Sequence, residues 1–498
     1  MEGSVDGLQA QVSAARRNVF LLSAVQALLG SAPPLTFALG GLATYQMLGD
    51  DKSLATAPLT GFNIGVALGA VGVAVASRYL GRQAGFMLGA LMGATGAAVA
   101  AVALFRADFW LFATGLMLIG VSGGFTQKIR FAAADVSPSF YKPRAISWIL
   151  AAGIVSAILG PQLAIFAKDL LFPVTFAGAF VALIPLSLIA IAILSALKLP
   201  ETGVRAAGDL PARPLKEIVL TQRFMTGMVC GIGTYALMTF MMTGAPLAMV
   251  IGCGFSTDLA TLGIQWHVLA MFAPSFFTGM LITRFGTEKV VAAGLVILMA
   301  CAVVAHAGIE LWNFWGALVL LGIGWNFGFI GSTAIVASSY RPHEADKVQG
   351  FHDIILFGTV ALSSFSSGKV FTAWGWEAMN LVIWPVTILC LVLILLLMRK
   401  RPENSPDLPV LEGLTQPCPR GHSPSRGQPL VPWEGRRLPA IAGGLACRRK
   451  GEGKANDRSI RCDRVRLAID HLCRLGDAGR ARRRSGQCPH AGNRRLHP

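Results

Sequence analysis

Apolar residues fill the first 400 positions in runs of about twenty. Short segments carrying most of the Arg, Lys, Asp and Glu separate them. A helix of about 20 residues spans the roughly 30 Å hydrocarbon core of a bilayer. The runs predict helices over about 18–43, 55–78, 84–105, 109–131, 145–167, 173–197, 223–250, 258–283, 289–308, 312–338, 350–372 and 376–398. The expected fold is an all-α membrane protein with about twelve transmembrane helices. Residues 1–17 form a polar lead ending at Arg16 and Arg17. The apolar run after it opens a long series of similar runs, so it is not a cleavable signal.

The basic residues orient this series. With the N-terminus inside, 19 of the 23 Lys and Arg in residues 1–400 fall on the cytoplasmic side. Lys52, Arg106, Lys168 and Lys369 fall outside. That bias is the positive-inside pattern, and it places both termini in the cytoplasm.

The longest internal loop, 198–222, carries Pro200, Pro211 and Pro214 and divides the body. The expected organisation is a cytoplasmic lead (1–17), a six-helix half (18–197), a cytoplasmic central loop (198–222), a second six-helix half (223–400) and a basic tail (401–498). The halves echo one another. Ala-Ser-Arg-Tyr-Leu-Gly-Arg at 76–82 follows the second run, and Leu-Ile-Thr-Arg-Phe-Gly-Thr at 281–287 follows the eighth, with Gly81 and Gly286 in equivalent places. Two parallel halves describe a common secondary-transporter plan.

With these loops the chain resembles the major facilitator superfamily, whose signature between the second and third spans runs Gly-x-Leu-x-Asp-Arg-x-Gly-Arg-Lys/Arg. Gly279, Leu281, Arg284 and Gly286 match it in register, and Gly81 and Arg82 match in the first half. Thr283 and Arg78 stand where that family has Asp. Gly153, Ser156, Gly160 and Pro161 are similar to part of the family's fifth-span motif. Gln127, Lys128, Arg130 and Asp135 are similar to its fourth-span motif. The resemblance covers about 18–400 and implies two six-helix halves that alternate access to a central site.

Composition agrees with a membrane protein and relocates the charge. Of 498 residues, 54% are apolar and 14% charged, against about 25% charged in soluble domains. The net charge of +17 resembles a nucleic-acid signal, but residues 401–498 hold 20 Lys and Arg against 9 Asp and Glu. Most of the excess therefore lies in the tail, where apolar periodicity stops. That composition predicts a disordered extension, and it is also what a shifted reading frame in a G+C-rich gene produces. A lipid tether and a nucleic-acid arm are the alternatives for it. Nucleic acid is not an expected partner of the body. Cys230, Cys253, Cys301 and Cys390 lack metal-ligand spacing, and neither a metal nor a cofactor is expected.

Strongly polar side chains inside apolar runs are costly and mark candidate sites. Substrate-binding candidates are Gln26 near the Pro33-Pro34 break, Asn63, Tyr235, Gln265, His267, Trp325, Asn326 and Phe329. Gly322, Gly324 and Gly328 thin the helix wall beside Trp325, Asn326 and Phe329, where aromatic rings and one amide suit a planar organic solute. Helix bridging is the competing role for Gln26, Asn63 and His267, and helix crossing for the glycines. Arg130, Asp135, His352 and Asp353 lie at cytoplasmic helix ends as gating or coupling candidates. Gly81, Arg82, Gly279, Arg284 and Gly286 form the loop motif.

The expected function is a secondary active or facilitative transporter of a small organic solute, acting as a monomer in the bacterial inner membrane. Protons are the candidate coupling ion, through Asp135, Asp353 or His267. A non-transporting receptor of the same fold and a membrane-embedded enzyme are the alternatives. No catalytic residues are assigned, because adjacent His352 and Asp353 point about 100° apart on a helix.

Overall fold

Ser31, Pro33 and Pro34 break the first apolar run in two, because a proline without an N–H cannot continue the helical ladder. The chain is described from a computed structural model over residues 2–138, 141–197 and 213–399. The tail from 401 and most of the central loop lie outside the described residues. α1 (Glu2–Leu29) carries the polar lead as a helical extension, and α2 (Ala32–Met47) completes the first span. α3 (Ala57–Leu80), α4 (Arg82–Arg106), α5 (Phe109–Thr126), short α6 (Ile129–Asp135), α7 (Lys142–Ala167) and α8 (Ala177–Ser195) finish the first half.

A short helix, α9 (Leu215–Val219), leads into α10 (Gln222–Leu247), which ends in a π-turn at Ala248–Gly252. α11 (Thr257–Phe272) and α12 (Ser275–Phe285) form one span bent by 41° beside Pro274. α13 (Thr287–His306), α14 (Leu311–Ala337) and α15 (Ala345–Arg399) follow. At 55 residues α15 is far longer than a bilayer needs, and Gly375 (φ 74°) divides it.

Ten described segments are long and apolar enough to cross a membrane. The bent α11–α12 pair supplies an eleventh and the division of α15 at Gly375 a twelfth. The number and places of the expected spans are therefore present.

Packing inside the halves follows one scheme twice. α3 lies on α5 as α11 lies on α14, α4 on α5 as α13 on α14, and α1 on α7 as α10 on α15. Small residues allow the close crossings: Gly65 and Gly69 meet the α5 backbone at Met117 and Val121, and Gly294 meets Gly324 and Gly328. Gly81 (φ 83°) and Gly286 (φ 90°) turn equivalent loops with nearly the same backbone angles, which explains the sequence echo. The halves touch where α3 meets α15, where α7 meets α11, and where α2 meets α10 and α11.

Candidate functional site

Four aromatic rings from three helices of the second half form one cluster. Tyr235 on α10 meets Trp325 and Phe329 on α14 edge to face, at centroid distances of 5.6 and 5.1 Å. Phe357 on α15 stands 6.4 Å from Tyr235. Trp325 and Phe329 are one helical turn apart, and their rings stack at 5.1 Å with only 17° between planes. Tyr235, Trp325 and Phe329 are half-buried, and Phe357 is buried. The Trp325 indole N–H is buried and finds no acceptor among the described residues. Phe357 was not among the sequence candidates. Its signal is weak, because it is one apolar residue in an apolar helix.

Charge approaches this cluster from the first half. Arg130, on α6, is exposed at its surface, and its guanidinium lies 4.9 Å over the Phe131 ring. It is within electrostatic reach of both Asp353 on α15 and the Tyr235 hydroxyl. Asp353 also stands 4.0 Å from Lys128 and 3.2 Å from Nδ1 of His352. Lys128, Arg130, His352 and Asp353 therefore gather at one junction between the halves. Asp135 belongs elsewhere, since it accepts from Arg82 at 3.1 Å within the first half. A charge pair at this loop is thus preserved although the loop itself has no acid: α6 supplies it. In the second half α12, which leads into the matching turn at Gly286, holds exposed Gly279, with Arg284 over the Phe285 ring at 5.3 Å. Nearby Glu288 pairs with Arg223 of α10 at 2.9 Å.

A second junction lies toward the opposite ends of α7 and α11. Gln162 donates to Oε1 of Gln265 at 2.8 Å. Lys168 pairs with Asp169 at 2.7 Å and with Asp258 at 3.1 Å. Asp169, then Asp258, hold the Lys168 ammonium above its usual range, against burial. Ser256 rather than Asp258 caps α11, accepting from the Leu259 amide at 3.3 Å. Asp258 is free to bridge the halves.

Three further candidates bond to protein through their side chains, and a fourth, Gln26, sits at the broken first span. Asn63 is buried and donates to Leu59 O of its own helix at 3.0 Å. Gln26 is half-buried, and its backbone carbonyl accepts from Ser156 at 3.0 Å, tying the broken first span to α7. His267 is fully buried, with Nδ1 2.8 Å from Leu318 O on α14. Asn326 is fully buried and donates to Met271 O at 2.6 Å and to Ser275 Oγ at 2.7 Å. Its Oδ1 accepts from Thr278 at 2.6 Å. These three partners flank the bend at Pro274, so Asn326 clasps the broken span. Gly322, Gly324 and Gly328 are crossing points, against α11, α13 and Thr234 of α10 respectively.

The same organisation recurs in known proteins. A riboflavin transporter of Brucella anthropi is 47% identical over 395 residues, covering 79% of this chain and 98% of that protein. Among solved structures, the nucleoside transporter NupG matches with a TM-score of 0.59 at 15% identity, covering 77% of this chain and all of that one. A D-xylose–proton symporter matches with a TM-score of 0.56 at 14% identity, covering 79% and 98%. These two show the fold. The Major Facilitator Superfamily profile matches residues 18–352 and 254–447. With its twelve membrane segments, its twice-used packing scheme and its paired glycine loops, this chain belongs to the major facilitator superfamily and is an integral membrane transporter rather than an enzyme.

Proposed function

We propose that the protein carries riboflavin or a closely similar planar heteroaromatic solute. The observation that carries this reading is the 47% identity to the riboflavin transporter, over nearly that protein's whole length. The aromatic cluster supports it. A fused-ring solute can extend the Trp325–Phe329 stack and meet Tyr235 edge-on, each such aromatic contact contributing about 0.5–1.5 kcal/mol. Arg130, the Trp325 N–H and the Tyr235 hydroxyl are polar groups that can fix its orientation.

Transport would proceed by the two halves rocking about this site. Lys128–Asp353 would be the tie at one end, and Gln162–Gln265 with Lys168–Asp258 the tie at the other. In this reading residues 18–197 and 223–400 are the moving halves, and 198–222 joins them. The working unit is a single copy in the bacterial plasma membrane, since one chain supplies both halves. Both termini lie in the cytoplasm, as the distribution of basic residues supports. His352 and Asp353 are the groups through which protons would drive the cycle.

Uptake of fluorescent riboflavin into proteoliposomes, with and without an imposed pH gradient, tests the assignment. Saturable accumulation above protein-free vesicles is expected, with a nucleoside and xylose failing to compete. Flux no greater than in empty vesicles rejects it.

A further inference from the structure

Thr56 stands at the N-cap of α3, yet its side chain caps nothing there. Its hydroxyl crosses to the other half, donating to Phe365 O at 3.4 Å and accepting from the Gly368 N–H at 3.1 Å on α15. Thr56 is fully buried, and a Cβ at position 368 would run into its hydroxyl, so glycine admits the contact. One turn further along α15, Thr372 donates to Lys52 O at 3.5 Å. These contacts lie at the same end of the molecule as Lys168–Asp258.

The first turn of α3 is left waiting. Pro58 has no N–H, Ala57 donates to Leu54 O at 3.0 Å, and Thr60 donates to Thr56 O at 3.1 Å. The N–H of buried Leu59 has no hydrogen bond among the described residues. It is the third helical amide, one that an N-cap hydroxyl ordinarily satisfies. Three other helices show that arrangement. Asp108, Thr221 and Ser256 have extended backbones and accept from the amides of Leu111, Phe224 and Leu259. Thr56, at φ −102° and ψ 0°, lacks the extended backbone that capping uses.

We propose that Thr56 is a positioning residue whose hydroxyl passes between two helices during the transport cycle. With this end closed, it ties the start of α3 to Phe365 and Gly368 of α15. When this end opens, residue 56 turns to an extended backbone and the hydroxyl accepts from the Leu59 N–H. The bond given up between the halves is replaced by one inside α3, so opening costs little. Removing the hydroxyl therefore weakens both states, whereas blocking its seat on α15 weakens the closed one alone. The inference rests on the reading that the two halves rock about a central site, and it adds the group that keeps the two states near balance.

Amide hydrogen exchange on the full-length protein in detergent tests this. Exchange over residues 365–372 reads opening at this end, and exchange over 345–353 reads closing at the far end. Gly368→Ala unseats the hydroxyl and leaves the cap available. It should raise exchange over 365–372 by about tenfold and lower it over 345–353. Thr56→Ala should stay within about twofold of the parent in both segments, because each state loses one bond. Its unfolding temperature should fall by about 2 °C. With Thr56→Ala added, Gly368→Ala should return to the parent's pattern, and Thr56→Ser should match the parent throughout.

A rise of about tenfold over 365–372 in Thr56→Ala alone overturns the proposal, since the hydroxyl then serves only the closed state. So does Gly368→Ala exchanging like the parent, or Thr56→Ala with no loss of thermal stability. The Thr56→Ala outcomes decide the matter even where Gly368→Ala does not fold. A rise over 365–372 in Gly368→Ala that Thr56→Ala reverses, without change over 345–353, keeps the exchange of the hydroxyl and defeats the rocking of the halves.

Discussion

The Gln162 side-chain amide donates to Oε1 of Gln265 at 2.8 Å, joining the two halves through neutral groups. Together with Lys168–Asp258 at 3.1 Å it fastens α7 to α11. Each is a modest bond, worth about 0.5–1.5 kcal/mol for the neutral pair and less for an exposed ion pair. Their sum still suffices to bias two conformations several-fold. Replacing Gln265→Ala and Asp258→Ala together should raise amide hydrogen exchange over residues 257–265 by about tenfold. Unchanged protection there would remove these contacts from the account.

Arg82 and Asp135 form a pair in which Asp135 is half exposed, at 51%. Such pairs contribute about 0–1 kcal/mol to stability. Asp135→Asn should therefore leave thermal unfolding nearly unchanged while lowering transport, because the pair holds α6 against the loop at Gly81. Exchanging the charges, Arg82→Asp with Asp135→Arg, should restore part of the transport. A double variant no better than the single one would argue that only the local charge matters.

Asn326 and His267 are expected to act on stability rather than on affinity. Asn326→Ala removes the side-chain partner of Met271 O and Ser275 inside the membrane, while Thr278 keeps its bond to Pro274 O, costing roughly 1–3 kcal/mol. His267→Ala frees Leu318 O and opens a cavity. Unfolding in detergent should show both losses, with ligand affinity per folded molecule within about twofold of the parent. A large affinity loss without a stability loss would move these residues back into the site.

What was readable in the sequence follows from which forces leave a periodic trace. Bilayer thickness imposes run length, so the spans and the twofold repeat around Gly81 and Gly286 were legible. Side-chain direction was less so. On one helical stretch Trp325 and Phe329 share a face while Asn326, one residue on, turns about 100° away toward the α11–α12 bend. A polar residue in an apolar run announces that it needs partners, but not whether they are protein or substrate. Phe357 and Gln162 were missed for complementary reasons. Phe357 looks like any lipid-facing residue, and Gln162 matters only through a residue 103 positions away.

The pair Arg213–Glu344 anchors the end of the central loop to the second half. Glu344 is almost fully buried and accepts from Arg213 Nη2 at 2.7 Å, Arg213 Nε at 2.9 Å and the Arg341 amide at 2.8 Å. The Arg213 guanidinium, helped by backbone amides and opposed by burial, holds this carboxyl well below the usual carboxylate range. A depressed carboxyl stabilises the fold above its unfolded pKa of about 4.3, and that stability is lost as pH falls toward the lower folded value. Glu344→Gln should cost about 1–3 kcal/mol near pH 7.5. The gap from the parent should stay constant down to about pH 5 and narrow in stronger acid. A gap that widened on acidification would contradict the assignment.

The central claim is that riboflavin crosses the membrane by way of the Tyr235–Trp325–Phe329 cluster. Riboflavin counterflow in proteoliposomes tests it most directly, comparing the parent with Trp325→Ala and Tyr235→Ala at equal amounts of folded protein. The parent should exchange riboflavin, and each variant should lose about tenfold or more in kcat/KM. A parent without exchange, or variants that exchange riboflavin at the parent's rate, would contradict it.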